Sequence, residues 1–468
     1  MMSTILISLE ATAKSVSLLF SSHSSRRIST SLLRHGHQFG TRYQQLHVAT
    51  PLFRQGRRYP TTPKKISDPL HILFCGSDEF SCASLKALHD EHVQNPDLIR
   101  SIDVVVRPGK GTGRGYKVVR HPPIRSLAES LGLQIHERDT FTGWNMPAKT
   151  NLIIAVSFGL FVPPRLLRGA KYGGLNLHPS LLPDFRGPAP LHHTLLSARK
   201  VTGVSLQTLD HNTFDHGVVL AQTPSSPRDP TAVLIPPGCR TVAALQALVT
   251  PVAARMLIEG LRAGLHVPPL EDRGWKPNAR EAKSVVHAPK ITKADQRLTA
   301  ALLRTCDRDA FGDTLARRQA AIGPLWFEAR DRKGRRKRVI IESLKELPAD
   351  VSVWDTPGML TEGTSALLSL SSLPPGTPRR YPIPFFDGEE KEEKEEKKER
   401  REATRNAPQP QKMNKYLVFW DGPSSTPDKE QPTLCLGNYL VSSLKVEGDR
   451  PKLARLALQN FKLFDDIR

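Results

Sequence analysis

Short apolar runs alternate with amphipathic stretches through the middle of this chain. The runs at residues 70–75 and 151–156 have the length and composition of strands that are buried on both faces. Apolar residues recur at helical spacing in the stretches 80–88, 124–131 and 242–262. Strands that alternate with helices in this way predict an α/β fold built on a doubly wound parallel sheet.

The pattern changes in the last third of the chain, where alternation of apolar and polar residues becomes the main signal. After a predicted short helix at 297–304, the strand pattern recurs at 324–329, 339–343, 416–420 and 439–446. Together these strands predict a small β-barrel. An insertion at 387–412 interrupts them, and it includes an unbroken run of eight acidic and six basic residues. Such a segment cannot bury a core, so we expect a disordered loop or a solvated helix there.

Composition divides the chain further. Its 468 residues are enough for two to three domains, and its formal net charge of +21 favours an acidic polymer as partner. The first 67 residues contain ten Lys or Arg and one acidic residue, which is typical of an amphipathic organelle transit peptide. A disordered leader without a targeting role is the alternative. We predict a leader at 1–67, a first domain at 68–266, a linker at 267–285 and a second domain at 286–468.

The residue types that commonly bind metals are scattered along the chain. The five cysteines form no Cys-x-x-Cys pair, and the adjacent His192 and His193 would point in different directions on a helix. We therefore expect no metal site, and free thiols in a reducing compartment. No apolar run reaches the length needed to span a bilayer, so we expect no membrane partner. We also expect the protein to be a monomer.

Polar residues that suggest chemistry are concentrated between positions 176 and 217. Asn176 and His178 are two residues apart, so on a strand both side chains point to one face. They would lie at the carboxyl end of a strand, where open α/β sheets bind their ligands. A further predicted strand leads into a polar loop that contains Asp210 and Asp215. The sequence therefore predicts one cluster of an amide, an imidazole and a carboxylate.

These three groups suit acyl transfer without a covalent intermediate. The amide and the imidazole can hydrogen-bond an oxygen that becomes negative in a tetrahedral intermediate. The carboxylate can hold the imidazole in its charged form or take a proton from the attacking nitrogen. Asn, His and Asp are also common in turns and helix caps, so a structural role for any one of them is the alternative. Their combination favours chemistry.

Two segments are strongly basic. The glycine-rich stretch 109–115 suggests a phosphate loop, but its spacing fits neither the dinucleotide pattern nor the Walker pattern. Its basic residues suit contacts with a nucleic-acid backbone, and a plain solvated loop is the alternative. The second segment, 330–338, has seven basic residues out of nine and is predicted to lie at the tip of a hairpin.

The run His-Pro-Ser-Leu-Leu-Pro-Asp-Phe-Arg-Gly at 178–187 resembles the formyltransferases that use 10-formyltetrahydrofolate. With Asn176 before it, every fixed position of their Asn-x-His-x-Ser-Leu-Leu-Pro-x-x-Arg-Gly signature is present. The Asp-His-Gly at 215–217 also matches, and the members that formylate methionyl-tRNA are the most similar. One departure concerns the loop, because the family has three residues between its two aspartates and this chain has four between Asp210 and Asp215. We therefore expect a bulged loop.

The resemblance implies a Rossmann-like formyltransferase domain followed by a smaller OB-like β-barrel domain. It implies transfer of a formyl group from 10-formyltetrahydrofolate to the α-amino group of methionyl initiator tRNA, in the mitochondrial matrix. Asn176 and His178 would stabilise the oxyanion, while Asp215 would orient His178 and move protons. The implied folate-binding residues are Ser157, Phe158, Gly159, Ser180, Leu181, Leu182, Pro183 and Asp210. The implied tRNA-binding residues are Lys110, Arg114, Lys117, Arg332, Lys333, Arg335 and Arg336.

Two other functions remain open at this point. The same chemistry could formylate a small amine or hydrolyse the folate, although a small acceptor needs no basic second domain. The chain could also be an RNA-binding member of the family whose catalytic site has decayed. The presence of the Asn, the His and the Asp argues against decay.

Overall fold

The computed structural model describes residues 65–299, 302–303, 314–346, 360–362, 380–385, 415–421, 434–436, 439–459 and 461. Nearly all of the predicted leader at 1–67 lies outside the described residues, as does the whole predicted insertion at 387–412. Both stay predictions.

The first sheet has seven strands: β1 (Leu70–Gly76), β2 (Ile99–Val106), β5 (Gln134–Glu137), β6 (Leu152–Val156), β7 (Gly174–His178), β9 (Ser205–Thr208) and β10 (Val219–Gln222). Their order is β10-β9-β7-β6-β1-β2-β5. All neighbours from β5 to β7 are parallel. However, β9 is antiparallel to β7 and β10 is antiparallel to β9, so the prediction of a wholly parallel sheet is wrong at this edge. Side chains alternate in both kinds of strand, so the pattern could not indicate direction.

Helices cover both faces of this sheet, because successive side chains of each strand point to opposite faces. Phe74 thus belongs to one buried cluster and its neighbour Leu73 to the other. The helices are α1 (Glu79–Gln94), α2 (Pro123–Ser130), α3 (Pro164–Gly169), α4 (Pro190–Leu196) and α5 (Val242–Arg262). Buried residues of α1, α2, α4 and α5 join the first cluster, and those of α3 join the second. The predicted doubly wound arrangement is confirmed.

The two longest helices begin at capping side chains and pack against each other. Asp78 caps α1 and Thr241 caps α5, each accepting a backbone N–H three residues on, at 3.0 and 3.1 Å. The buried Glu91 of α1 pairs with Arg262 of α5, and its Oε1 lies 2.9 Å from the guanidinium Nε. Hydrogen bonds from Arg262 hold the pKa of Glu91 below its ordinary value.

By length and composition alone, α5 could cross a membrane, since its 21 residues include a window with a mean hydropathy of 1.4. It is the one such helix among the described residues, and it corrects the expectation that no run has this length. In the folded chain Leu245, Val249 and Leu257 recur at helical spacing and are buried in the cluster beneath the sheet. That spacing is typical of a helix that covers a sheet in a water-soluble domain.

The segment after β2 is a hairpin rather than the predicted loop. Its strands β3 (Lys110–Thr112) and β4 (Val118–Arg120) are joined by a 3-10 turn, Arg114–Tyr116. We call residues 110–120 the first basic hairpin. A second small antiparallel pair, β8 (Val201–Thr202) with β11 (Val233–Leu234), lies beyond α4 in the chain.

The second sheet is antiparallel throughout its described pairings, and its strands include all those predicted. They are β12 (Leu325–Arg330), β13 (Arg336–Glu346), β14 (Leu360–Glu362), β15 (Arg380–Phe385), β16 (Lys415–Asp421), β17 (Leu434–Leu436), β18 (Tyr439–Val446) and β19 (Lys452–Leu453). Because β13 pairs with both β12 and β18, the path through β15, β16 and β17 closes into a ring. Three shorter helices accompany it in sequence: α6 (Ala279–Ala282), α7 (Thr314–Ile322) and α8 (Ala454–Leu458).

The helix predicted at 297–304 does not begin where expected. Arg297 forms an isolated β-bridge with Trp326, and helical backbone is described only at 302–303. The Leu303 N–H donates to the Thr299 carbonyl oxygen at 3.0 Å. The remainder of the predicted helix is outside the described residues.

Candidate active site

Asn176 and His178 lie at the carboxyl end of β7, with their side chains on one face of the sheet. β7 is hydrogen-bonded to β6 on one side and to β9 on the other, so its backbone is held at both edges. Asn176 Nδ2 donates to the Ala155 carbonyl oxygen at 2.9 Å. His178 is 6% exposed, and its Nε2 lies 2.9 Å from the Phe185 carbonyl oxygen.

The Asp215 carboxylate reaches His178 despite the extra residue in its loop. Asp215 Oδ1 lies 3.4 Å from His178 Nδ1, and Oδ2 accepts a hydrogen bond from the Gly187 N–H at 2.9 Å. The Asp215 backbone is left-handed, with φ of 58°, a conformation that Asp adopts more readily than most residues. Arg186 Nε donates to the Asp215 carbonyl oxygen at 2.8 Å and holds this turn. The extra residue is thus accommodated before Asp215.

Both ring nitrogens of His178 face hydrogen-bond acceptors. A carbonyl oxygen only accepts, so Nε2 carries the hydrogen that points to Phe185. A second hydrogen on Nδ1 would point to the Asp215 carboxylate, and both acceptors would then be satisfied. The arrangement therefore suits an imidazolium paired with a carboxylate in a site with little exposure to water.

Gln207 on β9 is a fourth member of this group, and sequence reasoning missed it. Its Nε2 lies 3.0 Å from Asn176 Oδ1 and 3.1 Å from Asp215 Oδ1, so one amide donor bridges the two side chains. Gln207 stands opposite Asn176 in the strand pair, which brings their side chains together. We call Asn176, His178, Gln207 and Asp215 the central cluster.

The first three predicted folate residues form a sharp turn directly after β6. Ser157 and Gly159 have φ of 49° and 73°, so the chain changes direction there. Phe158 is buried, and its ring centroid lies 5.9 Å from that of Phe141. Ser157 donates a hydrogen bond to Asp78, whose pKa is raised by burial. Of these three residues, Ser157 and Gly159 are exposed.

A cavity of about 500 Å³ borders the same turn. Its lining comes from the segment 139–143 and from residues Leu160, Phe161, Pro163 and Arg165. It contains none of the central cluster, although Phe161 contacts Phe214, the residue before Asp215, with 5.3 Å between ring centroids. The cavity therefore lies beside the loop that carries Asp215, and not over the central cluster.

The loop that follows His178 is braced from below by β9. Ser205 Oγ donates to the Ser180 carbonyl oxygen at 2.7 Å and accepts from the Leu182 N–H at 3.1 Å. Ser180 and Leu182 are buried, whereas Leu181 and Pro183 are partly exposed. Of these four predicted folate residues, Leu181 and Pro183 thus retain accessible side-chain surface.

Asp210 organises its own loop. Its Oδ1 accepts hydrogen bonds from the backbone N–H groups of Asn212 and Thr213, both at 2.9 Å. These hydrogen bonds hold the pKa of Asp210 below its ordinary value. The side chain lies outside the central cluster, and a contact with folate stays a prediction.

Comparison with known proteins places these residues in a family. The family model for formyl transferase matches residues 70–226. The mitochondrial methionyl-tRNA formyltransferase of Saccharomyces cerevisiae is 33% identical over 292 residues, which are 55% of this chain and 69% of the yeast protein. The chain belongs to the methionyl-tRNA formyltransferase family.

Two further comparisons cover a relative and a solved structure. The mitochondrial methionyl-tRNA formyltransferase of Bos taurus is 31% identical over 242 residues. The match covers 51% of this chain and 54% of the bovine protein, which is about half of each. A solved sugar N-formyltransferase from Shewanella has a TM-score of 0.39 and 15% identity, covering 57% of this chain and 95% of that one. A TM-score of this size supports no conclusion about substrate.

In this formyltransferase the segment 286–288 pairs with the loop after His178. The Phe185 N–H donates to the Val286 carbonyl oxygen, and the Ala288 N–H donates to the Arg186 carbonyl oxygen, both at 2.7 Å. The Phe185 carbonyl oxygen also accepts the hydrogen bond from His178, so this segment braces a residue that touches the central cluster.

Gly187 marks the closest approach of the two segments. Its φ is 121°, and a Cβ built there would lie 2.5 Å from the Ala288 carbonyl oxygen. Only glycine fits this position. This explains why the signature has glycine at 187, the residue whose N–H binds Asp215.

The predicted tRNA-binding residues lie on two hairpins. In the first basic hairpin, Lys110 and Lys117 are exposed, and Arg114 opens the turn at its tip. Tyr116 in the same turn is 78% exposed, which composition alone did not suggest.

The second basic hairpin (residues 330–338) connects β12 and β13. Arg335 and Arg336 pair there with acidic side chains of the same chain: Arg335 with Asp331 at 2.8 Å, and Arg336 with Glu328 at 2.6 Å. Arg332 and Lys333 are exposed in the turn. No group of three or more metal-ligating side chains occurs among the described residues.

Proposed function

We propose that this chain transfers the formyl group of 10-formyltetrahydrofolate to the α-amino group of methionyl initiator tRNA in mitochondria. The observation that carries the proposal is the central cluster, in which a buried His–Asp pair lies beside an oriented amide in a chain of this family. Mitochondrial location is supported by the names of the yeast and bovine relatives and by the basic leader.

In the proposed reaction the amine of the methionyl group attacks the formyl carbon, and the carbonyl oxygen becomes negative. One N–H of Asn176 is used by the Ala155 carbonyl, which leaves the second N–H to donate to this oxyanion. The imidazolium form of His178 would add positive charge close to the same oxygen. Both groups would act in a site shielded from water, where such interactions are stronger than at the surface.

Asp215 has two proposed tasks. It holds His178 in the charged form, and it takes a proton that the attacking nitrogen loses. When the tetrahedral intermediate collapses, the bond between the formyl carbon and N10 breaks, and Asp215 gives N10 the proton that it took from the amine. The products are the N-formyl amine and tetrahydrofolate, and Asp215 is again a carboxylate.

The folate would bind beside the turn after β6 and the loop after His178. Accessible surface there comes from Ser157, Gly159, Leu181 and Pro183. The family model that matches this chain is that of formyl transferase, which supports a formyl donor in this place. Phe158, Ser180 and Leu182 are buried and would shape the pocket through backbone groups and packing. Asp210 organises its own loop through Oδ1, and its predicted contact with the folate would be made from this loop.

The acceptor tRNA would contact the two basic hairpins. We assign the ring of antiparallel strands, with the second basic hairpin at one corner, as an OB-like domain that binds the tRNA backbone. The first basic hairpin follows β2 at the carboxyl end of the sheet, which is the end that carries the central cluster. It would therefore contact the acceptor end of the tRNA.

The test mixes the purified chain with 10-formyltetrahydrofolate and methionyl initiator tRNA and follows formyl-methionyl-tRNA over time. We expect turnover with charged initiator tRNA and none with uncharged tRNA, because the free α-amine is the nucleophile. Formylation of free amino sugars or small amines, with none of the tRNA, would overturn the proposed acceptor and leave the chemistry intact.

A further inference from the structure

We propose that Gln207 is a positioning residue for formyl transfer, because its amide orients both Asn176 and Asp215 for the reaction. The proposal rests on the proposed function, since it concerns the same site. It assigns a role to a residue that the signature motif does not contain.

Gln207 is placed for this role by the strand pairing. It lies directly opposite Asn176 where β9 runs antiparallel to β7, so the two side chains are neighbours on one face. Gln207 is 1% exposed, and its Nε2 donates to Asn176 Oδ1 at 3.0 Å and to Asp215 Oδ1 at 3.1 Å. The two hydrogens of one NH2 group are thus divided between two catalytic side chains.

The first consequence concerns the orientation of the Asn176 amide. Gln207 occupies its oxygen and the Ala155 carbonyl accepts from its nitrogen. Rotating the amide by 180° would place Oδ1 against a carbonyl oxygen and Nδ2 against the Gln207 NH2 group, both of which are repulsive. The side chain is therefore locked with its NH2 group in the position from which it can donate to an oxyanion.

The second consequence concerns the Asp215 carboxylate. Gln207 holds Oδ1 while the Gly187 N–H holds Oδ2, so the two oxygens are bound by separate donors and the carboxylate cannot rotate freely. Oδ1 is also the atom that faces His178 Nδ1. Without the Gln207 donor, the carboxylate would be free to turn away from the imidazole.

A purely structural role explains Gln207 less well. Its Oε1 is buried and makes no hydrogen bond among the described residues. An unpartnered buried amide oxygen lowers the stability of the fold, and a methionine of similar shape would avoid that loss. The amide is therefore better explained by what its NH2 group does than by the stability of the fold.

The experiment compares wild type with Gln207→Met, which keeps the length of the side chain and removes the donor. We expect kcat to fall about 10- to 100-fold, while KM for folate and for tRNA changes less than about threefold, because orientation matters most in the transition state. The matched control is Gln319→Met. This variant removes a glutamine donor to the carbonyl oxygen of Ile341, which lies on β13 in the second sheet. We expect its kcat to stay within about twofold of wild type.

Gln207→Glu separates positioning from packing, because the shape is kept and the donor depends on pH. Two carboxyl groups about 3 Å apart do not both ionise readily, so acid protonates one and restores a single donor. We expect the ratio of variant kcat to wild-type kcat to rise at least threefold between pH 8 and pH 6. A side chain that only fills space would give a constant ratio.

Three results have different meanings. Wild type that fails to formylate methionyl-tRNA overturns the proposed function. An active wild type with Gln207→Met near wild-type kcat, or no more impaired than Gln319→Met, overturns the positioning role alone. If Gln207→Met does not fold, as judged by circular dichroism, the pH ratio of Gln207→Glu decides, and a flat ratio overturns the proposal.

Discussion

The central cluster and the second basic hairpin differ in how far their polar groups are exposed to solvent. In the central cluster, His178 and Gln207 are buried, and all four side chains contact one another or backbone groups of the same chain. In the hairpin, Arg332 and Lys333 are exposed, and Arg335 and Arg336 form ion pairs at the surface with acidic side chains.

This difference indicates where each property of the enzyme resides. A fixed geometry sets the rate of the chemical step, because small displacements of oriented groups reduce transition-state stabilisation. A charged surface sets affinity for a polyanion, which depends on the number of charges more than on their exact placement. Variants of the first region should therefore change kcat, and variants of the second should change KM and its dependence on salt.

The largest effect is expected from the central cluster itself. Asn176→Ala should lower kcat by about 100-fold or more, which is the usual scale for losing an oxyanion donor. His178→Ala should lower kcat by a similar factor, because it removes the proposed positive charge beside the oxyanion. Affinity for tRNA should change little, because that surface is elsewhere. The measurement is single-turnover formylation at saturating folate and tRNA, alongside tRNA binding by filter retention. His192→Ala, a partly buried histidine outside the cluster, is the control and should keep its kcat.

A folded His178→Ala protein with near-normal turnover would remove the proposed mechanism. A loss of tRNA affinity equal to the loss of rate would instead erase the distinction between the two regions.

A smaller effect is expected from the second basic hairpin. Neutralising Arg332, Lys333, Arg335 and Arg336 together should weaken tRNA binding roughly tenfold or more at 0.15 M salt and lower the salt slope by about 2 to 4, because fewer counterions are released from the phosphates. The measurement is kcat/KM for charged tRNA between 50 and 300 mM salt. An equal slope in wild type and the variant would contradict the assigned surface.

The segment 286–288 offers a way to connect the two regions. Ala288 is buried and its backbone lies against Gly187, so Ala288→Val should push the Gly187 loop away from Asp215 and lower kcat about three- to fivefold. The exposed Ala282→Val is the control. If Ala288→Val changes only KM for tRNA, this segment orients the second sheet and does not brace the cluster.

The sequence predicted well those elements that one periodicity determines. The bounds of α5 and β18 coincide with the predicted 242–262 and 439–446, because long apolar patterns admit one interpretation. The hairpin tip at 330–338 was also predicted, since flanking strands define a turn. The direction of β9 and the pairing within the first basic hairpin were missed, because both depend on contacts between segments rather than on local pattern.

The candidate site shows the same division. Asn176 and His178 are predicted to be neighbours by their spacing on one strand, and the structure places them so. Gln207 had no local signal, because a glutamine in an apolar strand acquires its meaning only from the register with β7. Alternation in this strand puts Gln207 with Ser205 on the polar face, so the pattern did not indicate that this face is buried.

At His266, which is outside the central cluster, we expect the smallest effect on activity and a clear effect on stability. Burial lowers the pKa of His266 to about 4, and its Nε2 lies 2.8 Å from Ser67 Oγ. The unfolded chain therefore binds a proton near pH 6.5 that the folded chain binds only near pH 4. As the pH drops across this window, the free energy of unfolding falls by roughly 2–3 kcal/mol. His266→Asn removes this titration, and the difference in unfolding free energy between wild type and variant should shrink steadily from pH 7 to pH 4.5 in urea titrations. Activity at pH 7 should be unchanged, because no residue of the central cluster contacts His266. A difference that stays constant with pH would show that His266 is not buried in its neutral form.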